Sequence, residues 1–191
     1  MSIVINGDGS ISGISVGGLP DGTVDAGTLA TDSVTAAKLK DDAIAVGDLP
    51  AGSVLQVVQA STTTKTQTTT DGSWVSVEPS ASITPSSTSS KILILHSAGG
   101  CASAGGSYGL RIMRDSTEIR VRARHGYGGD EYLTSVNFDT TYLDSPSTTS
   151  AVTYSFDIYI SASGGSVRHN DDAGHLTEIA SATTILMEIA G

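Results

Sequence analysis

The sequence predicts a mainly β protein in which residues 52–191 form a β-sandwich of the jelly-roll type. From Gly52 onward, about ten short apolar or alternating runs are separated by turns rich in Gly, Ser and Pro. Helical periodicity is absent after Leu49. Charged residues make up 16% of the chain and aromatic residues 5%, which is typical of a hydroxyl-rich β surface and not of a helical enzyme.

The strands of this predicted head can be placed from their patterns. The apolar run Ile92–Leu95 is nearly continuous, which indicates a strand buried on both faces. A hairpin is expected around a two-residue turn at Asp115 and Ser116, with Ile112 facing Ile119 across it. Alternation predicts further strands in the ranges 132–142, 152–160 and 183–190.

A repeat precedes the head. Leucines recur ten residues apart with a Val or Ile midway between them, giving the series Leu19, Val24, Leu29, Val34, Leu39, Ile44 and Leu49. Two apolar anchors per ten residues bury too little surface to order a lone chain. Copies lying side by side in register would bury them, so the repeat predicts a thin, parallel, homo-oligomeric shaft. A flexible linker is the alternative.

The chain is therefore expected to have three segments: residues 1–18, a shaft at 19–51 and the head at 52–191. In the first segment, two apolar runs flank Asn6-Gly7, which predicts a small hairpin between Ser2 and Val16. An isolated hairpin is marginally stable in water, which suggests that this end docks into a partner.

The net charge, the cysteine count and the amino-terminal composition exclude several classes of protein. The net charge of −10 disfavours binding to nucleic acid through a general basic field. The amino terminus has no basic region followed by a long apolar stretch, so neither a signal peptide nor membrane insertion is expected. Cys101 is the single cysteine, which excludes an intrachain disulfide and a cysteine-based metal cluster and is expected to be a small buried residue.

Three stretches carry a resemblance to a known family: Asn6–Ile11, the repeat units at 19–24 and 36–39, and Ile83–Ser87 leading into 90–93. With them the chain resembles bacteriophage tail-fibre proteins, the receptor-binding fibres of phages. The resemblance implies a parallel homotrimer made in the host cytoplasm and located on the virion. Its amino terminus would join a phage tail or baseplate protein, and its head would meet a host-surface polysaccharide or protein. No binding residue of the family transfers to this head.

Five of the ten basic residues lie in the one predicted hairpin: Arg111, Arg114, Arg120, Arg122 and Arg124. Alternation places Arg111, Arg120 and Arg122 on one face, where planar guanidinium groups would suit the carboxylates or phosphates of an anionic glycan. The alternative is a ladder of ion pairs with acids such as Asp139 on a neighbouring strand or subunit.

The loop after this hairpin combines glycines with residues that stack and form hydrogen bonds, a mixture typical of adaptable binding loops. The candidate receptor-binding residues are Arg124, His125, Tyr127, Asp130 and Tyr132. An ordinary glycine-rich connection would look the same.

Metal binding and catalysis are not expected. His169, Asp171 and His175 are weak candidates for metal ligands, but their spacing matches no strong motif, so no cofactor is predicted. The sequence contains no nucleophile elbow, phosphate-binding loop or zinc-protease helix. A receptor-binding fibre is the leading hypothesis. A purely structural virion decoration or connector is the second, and a small polysaccharide-cleaving enzyme is the third.

Overall fold

The computed structural model describes residues 44–103, 106–126, 134–161, 165–171 and 181–191 continuously, and before them Val4, Ile5, Gly7, Ile11, Ser12, Leu29, Thr31, 33–35 and Leu39. The chain divides into two units, Met1–Ala45 and Val46–Gly191. The predicted boundaries at residues 18 and 51 stay predictions.

The first unit contains the strands β1 (Val4–Ile5) and β2 (Ile11–Ser12). They are antiparallel, with Ile5 opposite Ile11 and Gly7 in a turn, so the predicted amino-terminal hairpin is present. Of the predicted shaft residues, Leu19 and Val24 lie outside the described residues. The others are all exposed in the single chain: Leu29, Val34, Leu39, Ile44 and Leu49.

The second unit opens with a 3-10 turn at Val46–Asp48 and continues in strands. Those strands are β3 (Val54–Thr62), β4 (Thr66–Thr68), β5 (Trp74–Ile83), β6 (Lys91–Ser97), β7 (Gly99–Ser103), β8 (Gly106–Arg114), β9 (Thr117–Gly126), β10 (Thr134–Asn137), β11 (Thr140–Asp144), β12 (Val152–Ser161), β13 (Ser166–His169) and β14 (Ala182–Ile189).

The strands form three antiparallel sheets of four. Sheet 1 has the order β11-β6-β14-β3, sheet 2 the order β10-β7-β13-β4, and sheet 3 the order β5-β12-β8-β9. Sheets 1 and 2 share one order because each strand of one leads along the chain into a strand of the other. Two such consecutive strands, for example β3 and β4, can be counted as one long strand. The second unit then has eight strands in two layers, connected as the two Greek keys of a jelly roll. The predicted mainly β sandwich is thus confirmed, whereas the trimer stays a prediction.

The core lies between the layers and is built by alternation. In β12 the inward residues Val152, Tyr154, Phe156, Ile158 and Ile160 are all buried, as the sequence pattern predicts. Ile92, Ile94 and Leu186 of sheet 1 pack into the same apolar cluster. Cys101 is also buried, as expected.

The pairing within the arginine hairpin differs from the prediction. Asp115 and Ser116 form the turn, but Ile112 pairs with Arg120 and not with Ile119. The register shifts between Ile112 and Met113, so Ile119 is an extra residue in a β-bulge. A shift of one residue reverses which face each later side chain occupies. Beyond the bulge, Arg120 therefore shares the core-side face with Ile112.

Candidate functional site

The outward face of sheet 3 brings together the aromatic and charged residues of four strands. In β5 and β12, Val77 and Ile158 point into the core, so alternation turns Trp74, Asp157 and Tyr159 outward. Tyr159 pairs directly with Trp74 across the two strands. These residues lie side by side because register, and not a loop, sets their positions.

Trp74 and Tyr159 form an aromatic pair on this face. Their ring centroids lie 5.0 Å apart with the planes inclined by 37°. The other neighbour of Tyr159 is Gly109 on β8, which carries no side chain and leaves room for the ring on that flank. Both rings are partly exposed. Such a pair offers the stacking surface that sugar rings and other flat apolar faces use.

Arg111 is fixed beside the aromatic pair. Its guanidinium carbon lies 4.7 Å from the centre of the Trp74 ring. Arg111 Nε and Nη2 lie 2.8 and 2.7 Å from Asp157 Oδ2, and Nη1 donates to Glu118 at 3.1 Å. The hydroxyl of Ser76 donates to the other oxygen of Asp157 at 2.6 Å. We call these six residues the tryptophan–arginine cluster: Trp74, Ser76, Arg111, Glu118, Asp157 and Tyr159.

The charges within the tryptophan–arginine cluster determine what it can bind. One guanidinium faces two carboxylates, so these side chains carry one positive and two negative charges and leave no positive charge to attract an anion. Asp157 is buried, whereas 44% of the Glu118 side chain is exposed and remains open to an incoming hydroxyl group. A partly exposed aromatic pair beside a half-exposed carboxylate that Arg111 already binds suits a neutral sugar better than an anionic one.

The other two arginines of the predicted anionic-glycan face lie elsewhere. Because of the bulge, Arg120 and Arg122 occupy the opposite face of sheet 3 from Arg111. The Arg120 guanidinium carbon lies 5.3 Å from the Tyr142 ring centre, and Arg122 donates to the carbonyl oxygen of Asp139 at 3.1 Å. The three residues thus do not form one flat array.

Arg114, at the tip of the same hairpin, joins a network at the sandwich edge. Its Nη1 donates to both carboxylate oxygens of Asp144, at 3.1 and 2.9 Å. The Tyr154 hydroxyl donates to the same carboxylate at 2.7 Å. Burial and then this hydrogen bond raise the pKa of Tyr154, so the phenol stays neutral. The network links the two layers.

Little of the predicted binding loop can be placed. Arg124 and His125 belong to β9, where they pair with Tyr108 and Ser107. Tyr127, Asp130 and Tyr132 lie outside the described residues. The role of this loop in receptor binding stays a prediction.

The two weak metal candidates that the structure describes, His169 and Asp171, have different partners. His169 is buried, and its Nε2 lies 3.2 Å from Nε2 of His96, whereas Asp171 pairs with Lys65 at 2.9 Å. Burial lowers the pKa of His169 to about 4. His175 lies outside the described residues. Within the described part of the chain, no three His, Cys, Asp or Glu residues are grouped to hold a metal ion.

Sequence reasoning did not single out Trp74, Asp157 or Tyr159. The available signal was that Trp74, the only tryptophan, alternates with Val75 and therefore shares the phase of the polar Ser76. A large aromatic residue on the polar face of a strand is a binding signal. Its partner Tyr159 could not be named, because strand order was needed to bring β12 beside β5.

Comparisons with known proteins add the following. No protein-family model matches the chain, and no characterised protein matches it in sequence. Similar solved structures include infectious bursal disease virus, Gx strain, at 15% identity and a TM-score of 0.36 over 72% of this chain. The D431N mutant VP2 protein of the same virus, in T=1 particles, gives 13% identity and a TM-score of 0.37 over 73%.

The chain spans 37% of the length of each of those viral chains. At these values the similarity is partial, and the jelly-roll assignment rests on the strand order given above. In the parts of the chain that the structure describes, no helix has the length and apolar character needed to cross a membrane.

Proposed function

We propose that this protein is a homotrimeric phage tail-fibre protein, attached by its amino terminus to the tail or baseplate. Its head would recognise a glycan on the host surface through the tryptophan–arginine cluster. The observation that carries the proposal is the partly exposed Trp74–Tyr159 pair beside carboxylates that the same chain holds in place. The repeat at residues 19–49 supports the fibre assignment, since its apolar residues need identical copies to bury them.

The proposed binding mode follows from the geometry of the tryptophan–arginine cluster. A sugar ring would lie on the aromatic pair, and its hydroxyl groups would donate to the exposed carboxylate of Glu118. Because its bonds to Asp157 already fix the Arg111 side chain, binding would cost little side-chain entropy at this residue. The surplus negative charge of the cluster disfavours an anionic glycan and favours a neutral one. The protein would act by binding alone, without catalysis.

The test is Trp74→Ala in the full-length chain, measured by glycan-array binding and by adsorption of particles to host cells. A tryptophan at the centre of a binding face contributes about 2 kcal/mol, so affinity should fall by roughly 30-fold. Val121→Ala is the matched control, because Val121 is exposed on the same sheet face and lies outside the tryptophan–arginine cluster. Equal binding by Trp74→Ala and the native chain would overturn the assigned site.

The competing proposal is a structural decoration or connector that binds no receptor. Removing residues 52–191 from the virion protein separates the two. Assembled particles that no longer adsorb would support receptor recognition, whereas failure of particle assembly would support the structural role.

A further inference from the structure

The outward face of sheet 1 carries apolar residues on all four of its strands. Towards one end it becomes polar, at Gln59, Ser61, Ser97, Thr141 and Thr183. One row of paired residues crosses the whole sheet: Leu143 is opposite Leu93, Leu93 is opposite Met187, and Met187 is opposite Val57. Further apolar residues flank this row. We call the set the apolar face: Val54, Val57, Leu93, Leu95, Leu143, Ile185, Met187 and Ile189.

The apolar face is open to solvent in the single chain. Exposed fractions are 53% for Val54, 55% for Val57 and 49% for Leu143. Among the outward residues of these four described strands, Lys91 alone carries a charge, and it lies at the start of β6. Contiguous exposed apolar surface of this kind marks an interaction site in soluble proteins.

Strand β6 has apolar residues on both of its faces, but the single chain buries only one of those faces completely. Its run Ile92–Leu95 has the composition of a strand buried on both faces. The sandwich core buries Ile92 and Ile94 completely, while Leu93 and Leu95 on the other side are only partly covered. The composition of β6 thus calls for a second layer on the apolar face.

The spacing of the shaft repeat identifies the partner. Its apolar residues recur every five positions from Leu29 to Leu49, and the next position in that series is Val54, the first residue of β3. Each of these residues is exposed. Under the proposed fibre function the repeat buries its apolar residues against identical copies, so a residue in the same series is expected to meet the same partner. The chain carries a net charge of −10, yet this face has no carboxylate to repel another copy.

The size of the face agrees with this partner. Four strands about 4.8 Å apart, with apolar rows over roughly 17 Å of their length, present on the order of 300 Å². A stable independent interface buries about 800 Å² on each partner. The apolar face alone is therefore too small to hold an unrelated protein firmly, but it is large enough to add to the surface that identical copies would bury elsewhere in the chain.

We infer that the apolar face is the surface through which the heads of identical copies pack against one another. The number of copies rests on the proposed homotrimeric fibre. At the rim of this face, a depression of about 300 Å³ is lined by apolar residues such as Leu95 and Ile185, by Thr141 and Thr183, and at its edge by the exposed Asp139, so it would receive polar side chains of the neighbouring copy.

The test uses the full-length chain with Val57→Lys and Leu143→Lys combined, and measures mass and dissociation by analytical ultracentrifugation. The native chain should be an oligomer, and the double variant should dissociate at least 100-fold more readily. Val121→Lys is the matched control, because Val121 is 45% exposed on the opposite layer, and it should leave dissociation unchanged. A Val57→Cys variant should also form disulfide-linked dimers under mild oxidation.

The outcomes separate this inference from the proposed function. A monomeric native chain would overturn both the packing of heads and the trimeric fibre. A native oligomer that the lysine pair leaves intact, with no cross-link through position 57, would overturn the packing of heads alone. Neither result bears on glycan binding, which Trp74→Ala tests.

Discussion

The outward faces of sheet 1 and sheet 3 differ sharply, although both belong to one sandwich with a shared core. On sheet 3, Trp74, Arg111 and Asp157 satisfy one another within a single chain. On sheet 1, Val57 and Leu143 have no covering partner in the single chain. The inward residues specify the fold, while the two outward faces specify what each side of the sandwich meets. Perturbing the core should thus affect both sides alike, and perturbing one face should affect only its own property.

The largest expected effect comes from acid and originates in the core. Burial, together with the charge of His169, lowers the pKa of His96 to about 3, and burial lowers that of His169 to about 4. The unfolded chain binds protons near pH 6.5 and the folded chain does not, so stability is full above pH 6.5 and falls toward pH 4. The loss at pH 5 should be about 2 kcal/mol per histidine.

Urea unfolding at pH 7, 6 and 5 measures this loss. A His169→Gln variant keeps a hydrogen-bonding side chain without titrating and should show about half the pH slope. The lysine pair at Val57 and Leu143 should change the unfolding midpoint through association but leave the slope intact. A slope altered by the lysine pair would contradict the separation of core and face.

The second effect tests whether sheet 3 stabilises the single chain. Asp157→Ala leaves Arg111 with Glu118 as its remaining ion-pair partner and removes the acceptor of the Ser76 hydroxyl. Because Asp157 is buried, the free energy of unfolding should fall by about 3 kcal/mol in chemical denaturation. Asp157→Asn keeps an acceptor for Ser76 and should lose less. An unchanged stability would show that the tryptophan–arginine cluster does not hold itself in place.

The predictability of the two faces from sequence also differs. The inward pattern of β12 was readable, because alternation needs only one strand. The continuous run in β6 predicted burial on both faces, whereas Leu93 and Leu95 are only partly buried in the single chain. The arginine face could not be predicted from the sequence, because a single extra residue at Ile119 moved Arg120 and Arg122 to the other side of the sheet from Arg111. A bulge leaves no periodic signal, and its position depends on pairing between strands.

The environment of Glu188 also could not be predicted, because it depends on contacts with residues that are distant in sequence. Alternation with apolar neighbours suggested nothing unusual, yet this carboxylate is fully buried and accepts bonds from Ser86 N at 2.7 Å and Gln56 Nε2 at 2.6 Å. Burial raises its pKa, but these hydrogen bonds outweigh burial and hold the pKa below the ordinary value. Both partners are distant in sequence, so no local pattern could show the contact.

The third effect concerns the apolar face within one chain. Val57→Thr exchanges a methyl group for a hydroxyl at a site that is 55% exposed, so the fold itself should lose at most about 0.5 kcal/mol. Unfolding measured at low protein concentration, where copies separate, should thus match the native chain. At high concentration the variant should be less stable, because its association is weaker. A loss independent of concentration would mean that Val57 acts within the chain.

A similarly small effect on stability is expected for Glu118→Gln. Glu118 is half exposed and shares Arg111 with the buried Asp157, so removing its charge should change stability by less than about 1 kcal/mol. Glycan binding should respond more than folding does, because the exposed carboxylate is the proposed acceptor for sugar hydroxyl groups. Paired measurements of urea midpoint and glycan affinity distinguish the two. If stability fell while affinity held, Glu118 would belong to the support of the tryptophan–arginine cluster, and the neutral-glycan proposal would lose its acceptor.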